Sequence, residues 1–563
     1  MGFRRRTWFL SRSVHALLLA VLVSGLGAQI SEKQPQIGVP EDWTHHRIKF
    51  SSATLRQHPE RAAHEPRAAM QLYREAFVEA QAAWRRATLA PQSASSSPSA
   101  GHRDWSVPLG SGRVQFGQYP AKWQTDPTRP PSCTTDYVIF ALNVPGVTGG
   151  QPSIVGLNKL YSSPNNSLCN AQQPNFLFSY NTNTTSAAAQ GHILTSPVLS
   201  LDGKKVAFIE TSTVAGQRTS VLHVLKIPTT GTQVIPTPAA LPPAGAMLSA
   251  TIGAASNTRS SPWIDYSSDV AYVGLDNGRL FKITGVFRGT PTVAGPPWPV
   301  VVSPGLQLSS PVLDSDTGNL FIGSQSGTLF AVNVNTLGTP VPISVGRPGG
   351  NNPGIIDSPM FDATGATLFA VTSNDASLAG ASVVQVNATN FNVVTRVRIG
   401  QGSTVGGANV NLYDGDFDDA YFNNPATGHM LVCGTGSADT TPHRYLLGFN
   451  GAGVLQPGSS VQLSTNTAAR CGPITEFFNP NVSNGPTDFF FWGVTRNCPG
   501  FGANGCIMSL ANGSSQAAVQ ESGGTSGIVI DNTYVTLTGG SSIYFSTEAN
   551  PLNAVKLTQQ GLQ

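Results

Sequence analysis

Short apolar runs alternate with polar turns along most of the chain, and residues 307–338 show the pattern most completely. The strand-like runs and turns of this stretch are, in order, Pro311–Asp314, Asp316–Asn319, Leu320–Gly323, Ser326–Gly327 and Leu329–Val334. Brief apolar runs bounded by Gly, Asn, Asp and Ser are typical of β-strands joined by tight turns. The stretch therefore predicts one compact antiparallel unit.

The same unit recurs along the chain. A Ser-Pro pair, an apolar run, a turn and a second apolar run begin at Ser196, Ser261, Ser310 and Ser358, with spacings of 65, 49 and 48 residues. Weaker copies begin near Tyr137, Tyr413, Gly472 and Ser526. A period near 50 residues with several strands per unit is typical of a β-propeller. The sequence thus predicts an all-β chain whose β-propeller has eight blades, or seven if the first and last units share one blade by strand exchange.

The chain before the repeats has a different character. Arg4, Arg5, Arg6 and Arg12 precede the apolar run Ala16–Val23, which is too short to span a bilayer. Arginines followed by a short apolar run and small residues predict a secretory signal peptide over residues 1–28.

An N-terminal segment, residues 29–90, follows the signal peptide. It contains a predicted amphipathic helix over 66–88 with the apolar stripe Met70, Tyr73, Phe77, Ala80 and Trp84. We expect the stripe to pack on the side or end of the propeller, and a partner-binding helix is the alternative. A Ser/Pro-rich linker over 91–104 leads into a propeller over 105–563.

The charge balance changes once the signal peptide is removed. The whole chain has a net charge of +3, and loss of four arginines leaves 3 − 4 = −1. Charged residues make up 11% of the chain, against about 25% in average globular proteins. We therefore expect no nucleic-acid partner. No stretch after the signal peptide approaches 18 apolar residues, so we also expect no stable membrane span. The expected product is a monomer, secreted or periplasmic.

Six cysteines in an exported chain favour disulfide bonds. Six thiols allow fifteen pairings, and proximity along the repeats favours Cys133 with Cys169, Cys433 with Cys471 and Cys498 with Cys506.

The one dense acidic cluster contains Asp414, Asp416 and Asp418, and alternating carboxylates are how calcium loops present oxygen ligands. The EF-hand pattern fails, because its glycine position holds Asp419 and its final glutamate position holds Pro425. Calcium is the one metal that this pattern suggests, and a polar turn inside a blade is the alternative. No other cofactor is assigned.

Residues 309–338 resemble the repeat of pyrroloquinoline-quinone-type propellers, which are found in quinoprotein dehydrogenases and in noncatalytic outer-membrane assembly scaffolds. The resemblance implies the propeller fold. The repeat ends as Ala331–Gly338 without the family's docking Trp, and the vicinal Cys-Cys of many quinoprotein dehydrogenases is missing. A second resemblance, to uncharacterised exported bacterial propeller proteins, rests on Tyr119–Lys122, Ser196–Lys205 and Tyr413–Gly415.

The chain contains no GxSxG, HExxH or P-loop motif. We therefore expect an exported β-propeller that acts as a noncatalytic binding or interaction scaffold for a protein or a glycan. The alternative is an exported enzyme, quinone-dependent or glycan-cleaving, with its site in the central funnel. Whether the protein is an enzyme is left open at this stage, since carboxylates near blade starts, such as Asp265 and Glu476, are indistinguishable from turn residues.

Overall fold

A computed structural model provides the structure of the protein. It describes residues 38–558 except 62–64, 74–101, 127–129, 165–167, 184–190, 215–216, 232–238, 255, 348–353, 405–409, 480–484, 514 and 532–540. The predicted signal peptide, most of the predicted linker and residues 74–88 of the predicted helix lie outside the described residues. No helix in the described part of the chain is long and apolar enough to cross a membrane.

The described strands form eight sheets of four or five strands, and the chain is an eight-bladed β-propeller. Within each blade the strands are antiparallel, and in blades 1 to 7 they follow the chain from the central channel outward, as the repeats predict. Blades 1 to 4 contain Ala121–Gln124, Tyr137–Ala141, Ile154–Asn158 and Asn175–Tyr180; His192–Ile193, Val198–Leu199, Lys205–Val214, Gln217–Lys226 and Met247–Ala254; Trp263–Asp265, Val270–Gly274, Arg279–Thr284, Thr292–Val293 and Val300–Val301; and Val312–Asp314, Asn319–Gly323, Thr328–Asn333 and Val341–Ser344.

Blades 5 to 8 complete the ring. They contain Met360–Asp362, Thr367–Asp375, Gly380–Asn387 and Asn392–Arg398; Asp416–Phe417, His429–Thr435, Pro442–Phe449 and Leu455–Gln462; Thr475–Asn479, Thr487–Val494, Cys506–Ala511 and Ser515–Gln520; and Val529–Asp531, Ser542–Ser546, Asn553–Thr558 and His102–Pro108. The remaining described elements are the strands Val39–Glu41 and Ile48–Lys49, the α-helices Ser52–Gln57 and Asp419–Asn423, and the 3₁₀ turns Trp43–His46, Gly402–Thr404 and Pro425–Thr427.

Strand exchange closes the ring at blade 8. His102–Pro108, from before blade 1, pairs antiparallel with Asn553–Thr558 and is the outermost strand of the last blade. The exchange supplies the fourth strand of a unit that has only three of its own, so the count remains eight and does not fall to seven.

The Ser-Pro repeat has a structural reason. The backbone N–H of Tyr119 donates to Ser196 Oγ, the N–H of Ser196 to Ser261 Oγ and the N–H of Ser261 to Ser310 Oγ, at 2.8–2.9 Å. Each hydroxyl satisfies a buried donor at the start of the preceding blade's inner strand, where a backbone group would otherwise be unpaired. The repeated serines therefore join blades 1 to 4 around the channel.

The core lies between the blades. Buried aromatic rings join adjacent sheets, for example Phe321 with Phe361 at 5.7 Å between centroids and Phe369 with Phe417 at 4.9 Å. Rings at these separations gain from edge and offset packing beyond their area of burial.

A buried charge network fills the seam between blades 8 and 1. Lys122 Nζ lies 3.0 Å from Asp531 Oδ2, and Lys556 Nζ lies 2.8 Å from Asp104 Oδ2. The Tyr161 hydroxyl donates to Asp531 Oδ2 at 2.9 Å. Both lysines are at most 2% exposed, so each needs its carboxylate.

Residues 38–51, here called the plug, lie across the central channel. Val39–Glu41 pairs with the inner strand of blade 1, and Ile48–Lys49 pairs with the inner strand of blade 5 on the opposite side of the ring. Between these strands Trp43 packs edge-on against Trp263 of blade 3. The plug therefore adds strands to two inner edges that would otherwise be unpaired.

Two cations of the plug meet the acidic cluster. Arg47 is 1% exposed, with Nη2 2.6 Å from Asp357 Oδ2 and Nη1 3.9 Å from Asp414 Oδ2. Lys49 Nζ lies 2.7 Å from Asp416 Oδ1. Burial raises the pKa of Asp414 well above its usual range, and the charge of Arg47 opposes this shift. Asp357 and Asp416 are therefore the nearest counter-charges of the plug.

Residues 66–73 are helical, as far as the described part of the predicted helix extends. Arg67, which the periodicity placed off the apolar stripe, docks the helix together with Ala68 and Leu72. The guanidinium lies 4.3 Å from the centroid of the Trp263 ring and donates to the Ile264 carbonyl at 2.9 Å. Because the guanidinium group is planar, an arginine side chain can stack on an aromatic face while it donates hydrogen bonds in its own plane. Met70 lines a cavity beside the plug.

Candidate ligand-binding funnel

The channel end opposite the helix opens into a funnel of about 750 Å³. Its wall is built from the loops that lead into the inner strands and from the loops that join the second and third strands of the blades. Loops at one end of a rigid ring are well placed for recognition.

Four arginines from separate positions converge on the funnel. Arg113 precedes blade 1, Arg259 precedes blade 3, Arg470 precedes blade 7, and Arg496 lies between the second and third strands of blade 7. All four are exposed. Among the described residues, none of them forms an ion pair within 4.0 Å. The funnel is therefore cationic.

Two of the three disulfides hold this cationic wall. Cys433–Cys471 fastens the residue next to Arg470 to the second strand of blade 6, and Cys498–Cys506 closes the loop that follows Arg496. The N–H of Arg470 donates to Thr495 Oγ1 at 2.9 Å, and the N–H of Thr495 donates to the Arg470 carbonyl at 3.0 Å. The positions of Arg470 and Arg496 are thus coupled.

The third disulfide, Cys133–Cys169, lies in blade 1. The three bonds are the pairs that proximity along the repeats favours, and no free cysteine is found in the described chain. Three disulfides indicate an oxidising compartment.

Glu548 is the one carboxyl group among the described residues that line the funnel. Its Oε1 is buried without a hydrogen-bond partner. Burial raises the pKa of Glu548 to about 8, although the charges of Arg470 and Arg113 oppose the shift. The carboxyl group is therefore mainly protonated and uncharged at neutral pH.

Phe116 and Tyr413 form the floor. Their rings lie 5.2 Å apart, and the Tyr413 hydroxyl donates to the Phe116 carbonyl at 3.0 Å. Below them a smaller space of about 50 Å³ is bounded by Trp43 and Arg47 of the plug. The plug therefore lies below the funnel, on the far side of the Phe116 and Tyr413 rings.

Asp414, Asp416 and Asp418 do not share a site in the structure. Asp414 and Asp416 face Arg47 and Lys49 of the plug, whereas Asp418 accepts hydrogen bonds from the N–H groups of Tyr421 and His429. No group of three or more metal-ligating side chains is found among the described residues. A calcium site at these residues stays a prediction.

The two carboxylates noted at blade starts have different environments. Asp265 accepts hydrogen bonds from Ser267 and Ser268 and so shapes the turn that follows it. Glu476 lines the cavity of about 340 Å³ beside the plug, and burial raises its pKa well above the usual range. Asp488, whose own pKa burial raises to about 6, is its neighbour.

Sequence reasoning did not find the four arginines or Glu548. Each of these residues stands at a different distance from the strands of its blade, so the repeat pattern does not point to them. One signal was present: arginines next to Cys471 and shortly before Cys498, in a chain with only 11% charged residues.

No protein-family model and no curated protein matches the chain. Solved structures similar to it include BamB from Moraxella catarrhalis, with 12% identity over 81% of this chain and 98% of that chain and a TM-score of 0.37. Sqt1 from Saccharomyces cerevisiae has 9% identity over 82% and 99% with a TM-score of 0.46, and the Dos1 propeller 8% over 81% and 95%, also with 0.46. Likeness at this level carries no argument about function.

Proposed function

We propose that the protein is an exported β-propeller that binds an acidic oligosaccharide in its funnel and does not transform it. The observation that supports this best is the convergence of four exposed arginines with no ion pair within 4.0 Å among the described residues. The predicted signal peptide, the disulfides and the resemblance to exported bacterial propeller proteins support export.

The charge of the funnel favours an anion. With Glu548 mainly neutral, the described lining carries four positive charges at neutral pH. Guanidinium groups match carboxylate and sulfate oxygens with paired hydrogen bonds, and they stay charged at all working pH values.

The remaining polar lining favours a sugar over an acidic peptide. Amide side chains dominate it, and an amide both donates and accepts, which suits a hydroxyl group that does the same. These amides are Gln115, Asn143, Gln307, Gln325, Asn411 and Asn550.

The described lining also favours binding over cleavage. Most glycosidases use two carboxyl groups on either side of the scissile bond. Glu548 has no second carboxyl group opposite it among the described lining residues. Release of reducing ends would instead support the alternative, an exported glycan-cleaving enzyme.

Calorimetric titration tests the proposal with trigalacturonate as probe, neutral maltotriose as its uncharged counterpart and triglutamate as an acidic peptide. We expect binding of trigalacturonate alone. The double variant Arg113→Ala/Arg259→Ala should weaken it by at least tenfold, since a hydrogen bond to a charged group contributes about 1.5–3 kcal/mol. The matched control Arg279→Ala alters an exposed arginine of blade 3 outside the funnel lining and should leave the affinity unchanged.

Three results would count against the proposal. Absence of trigalacturonate binding would remove the acidic-sugar ligand, and equal affinity of the double variant would place the ligand elsewhere. Binding of triglutamate but not trigalacturonate would make the ligand an acidic protein segment.

A further inference from the structure

Glu548 is an unusual residue to find in a cationic funnel that binds anions. It lies on the loop between the second and third strands of blade 8, and the charges of Arg470 and Arg113 act on it. As a carboxylate it would neutralise part of the arginine charge and repel a bound anion.

The structure favours the protonated form of this side chain. A buried oxygen without a hydrogen-bond partner, as Oε1 is, costs far more on a carboxylate than on a neutral carboxyl group. A neutral carboxyl group also provides one O–H donor, which a carboxylate lacks. The side chain lines the cavity, so this donor is available to an oxygen of a ligand.

We propose that Glu548 is a specificity-determining residue of the funnel, whose protonated carboxyl group donates a hydrogen bond to the bound anion, so that the funnel retains a proton with each anion that it binds. The inference rests on the proposed function, since it needs an anion in the funnel. It adds a selection rule: the favoured ligand presents an acceptor oxygen between the guanidinium groups of Arg113 and Arg470.

Among the described groups named here, Glu548 is the one whose pKa lies at about 8. Arg113 and Arg470 act on it directly, and arginine does not lose its proton in this range. Burial raises the pKa of Tyr413 at the floor above its ordinary value. His192, which contacts Asn143 of the wall, has its pKa lowered by burial below 6.5.

The experiment measures the dissociation constant of trigalacturonate between pH 6.5 and 9.5, where the carboxylates of the probe are ionised throughout. Above pH 8 the constant should rise toward about tenfold per pH unit, the limit for one linked proton. Titrations in buffers of different ionisation enthalpy should show uptake of a proton on binding at pH 9.

Variants assign the effect to this side chain. Glu548→Gln keeps a neutral donor and should bind at pH 6.5 as the unchanged protein does, with a constant that stays flat to pH 9.5. Glu548→Ala should bind more weakly at pH 6.5 because the donor is gone. Glu521→Gln is the matched control: Glu521 is a buried glutamate whose pKa burial also raises, but it pairs with Arg103 outside the funnel lining.

The outcomes separate the two proposals. Trigalacturonate binding with a pH-independent constant, or an unchanged pH dependence in Glu548→Gln, overturns this inference and leaves the anion site in place. Absence of trigalacturonate binding at every pH overturns both. A flat profile in Glu548→Gln together with a steep one in Glu521→Gln and in the unchanged protein supports the inference.

Discussion

Replacing Arg47 by alanine should release the plug from the channel. The side chain is 1% exposed and faces Asp357 and Asp414. Its loss leaves the Asp357 side chain without the cation that lies 2.6 Å away. Breaking a buried ion pair in this one-sided way typically costs about 3–5 kcal/mol. The Tyr119 ring, 5.7 Å from the guanidinium carbon, adds about 0.5–1 kcal/mol for a cation over an aromatic face.

The change in the free energy of unfolding depends on whether the plug can leave the channel while the ring stays folded. If the plug leaves while the ring stays folded, the global unfolding free energy falls by no more than the docking free energy of the plug. Hydrogen exchange distinguishes opening of the plug alone from unfolding of the whole ring. The backbone amides of residues 39–49 should then exchange at least a hundredfold faster in Arg47→Ala, while those of the inner strand of blade 3, Trp263–Asp265, keep their protection.

The control is Arg56→Ala, which alters an exposed arginine in the helix Ser52–Gln57 close to the plug. A substitution at such a site usually changes stability by less than about 0.5 kcal/mol. If Arg47→Ala and Arg56→Ala show the same exchange rates over residues 39–49 and the same melting temperature, the ion pairs do not hold the plug and the reasoning is refuted.

Three further outcomes are expected. Cys498→Ser/Cys506→Ser should weaken trigalacturonate binding by about tenfold while the fold persists, because the loop that follows Arg496 is then no longer closed. An unchanged affinity in calorimetry would contradict this. Glu548→Gln should melt about 5 °C above the unchanged protein at pH 9 and at the same temperature at pH 4. The reason is that a glutamate with a folded pKa of about 8 contributes stability that is lost as the pH rises through that value. Equal melting temperatures at pH 9 would contradict this. Lys122→Met should cost about 3 kcal/mol, because the buried Asp531 keeps the Tyr161 hydroxyl but loses the cation 3.0 Å away. Chemical denaturation that shows a loss of less than about 1 kcal/mol would show that the seam does not depend on this ion pair.

The parts of the fold that local patterns control were predictable. Turn residues, apolar runs and the Ser-Pro pairs recur within about 50 residues, so the blades and their order follow from the sequence alone. The blade count needed the structure, because the partner of His102–Pro108 lies at the other end of the chain. The cysteine pairs were within reach because each pair is separated by no more than 38 residues.

The plug was not predictable by these means. Arg47 and Asp357 are 310 residues apart, and no periodicity connects them. Arg47 and Lys49 come from a segment far away in sequence, so no local pattern indicates that they face Asp414 and Asp416. The position of Arg67 in a polar helical face was misleading for a similar reason: its partner, Trp263, belongs to a blade and not to the helix.

The position of the plug constrains the order in which the protein can be assembled. Residues 39–49 are synthesised before the blades, yet Ile48 pairs with Phe361, and the ring that surrounds them closes only when residues 553–558 reach His102–Pro108. Contacts this distant in sequence slow folding, because the ends of a long loop must meet before the contacts contribute. The plug must therefore stay unpaired until the blades have formed, or it must act as a template on which the later blades fold. The blades of this propeller therefore assemble around a segment that precedes them in the chain, and the pairing of Asn553–Thr558 with His102–Pro108 completes the ring.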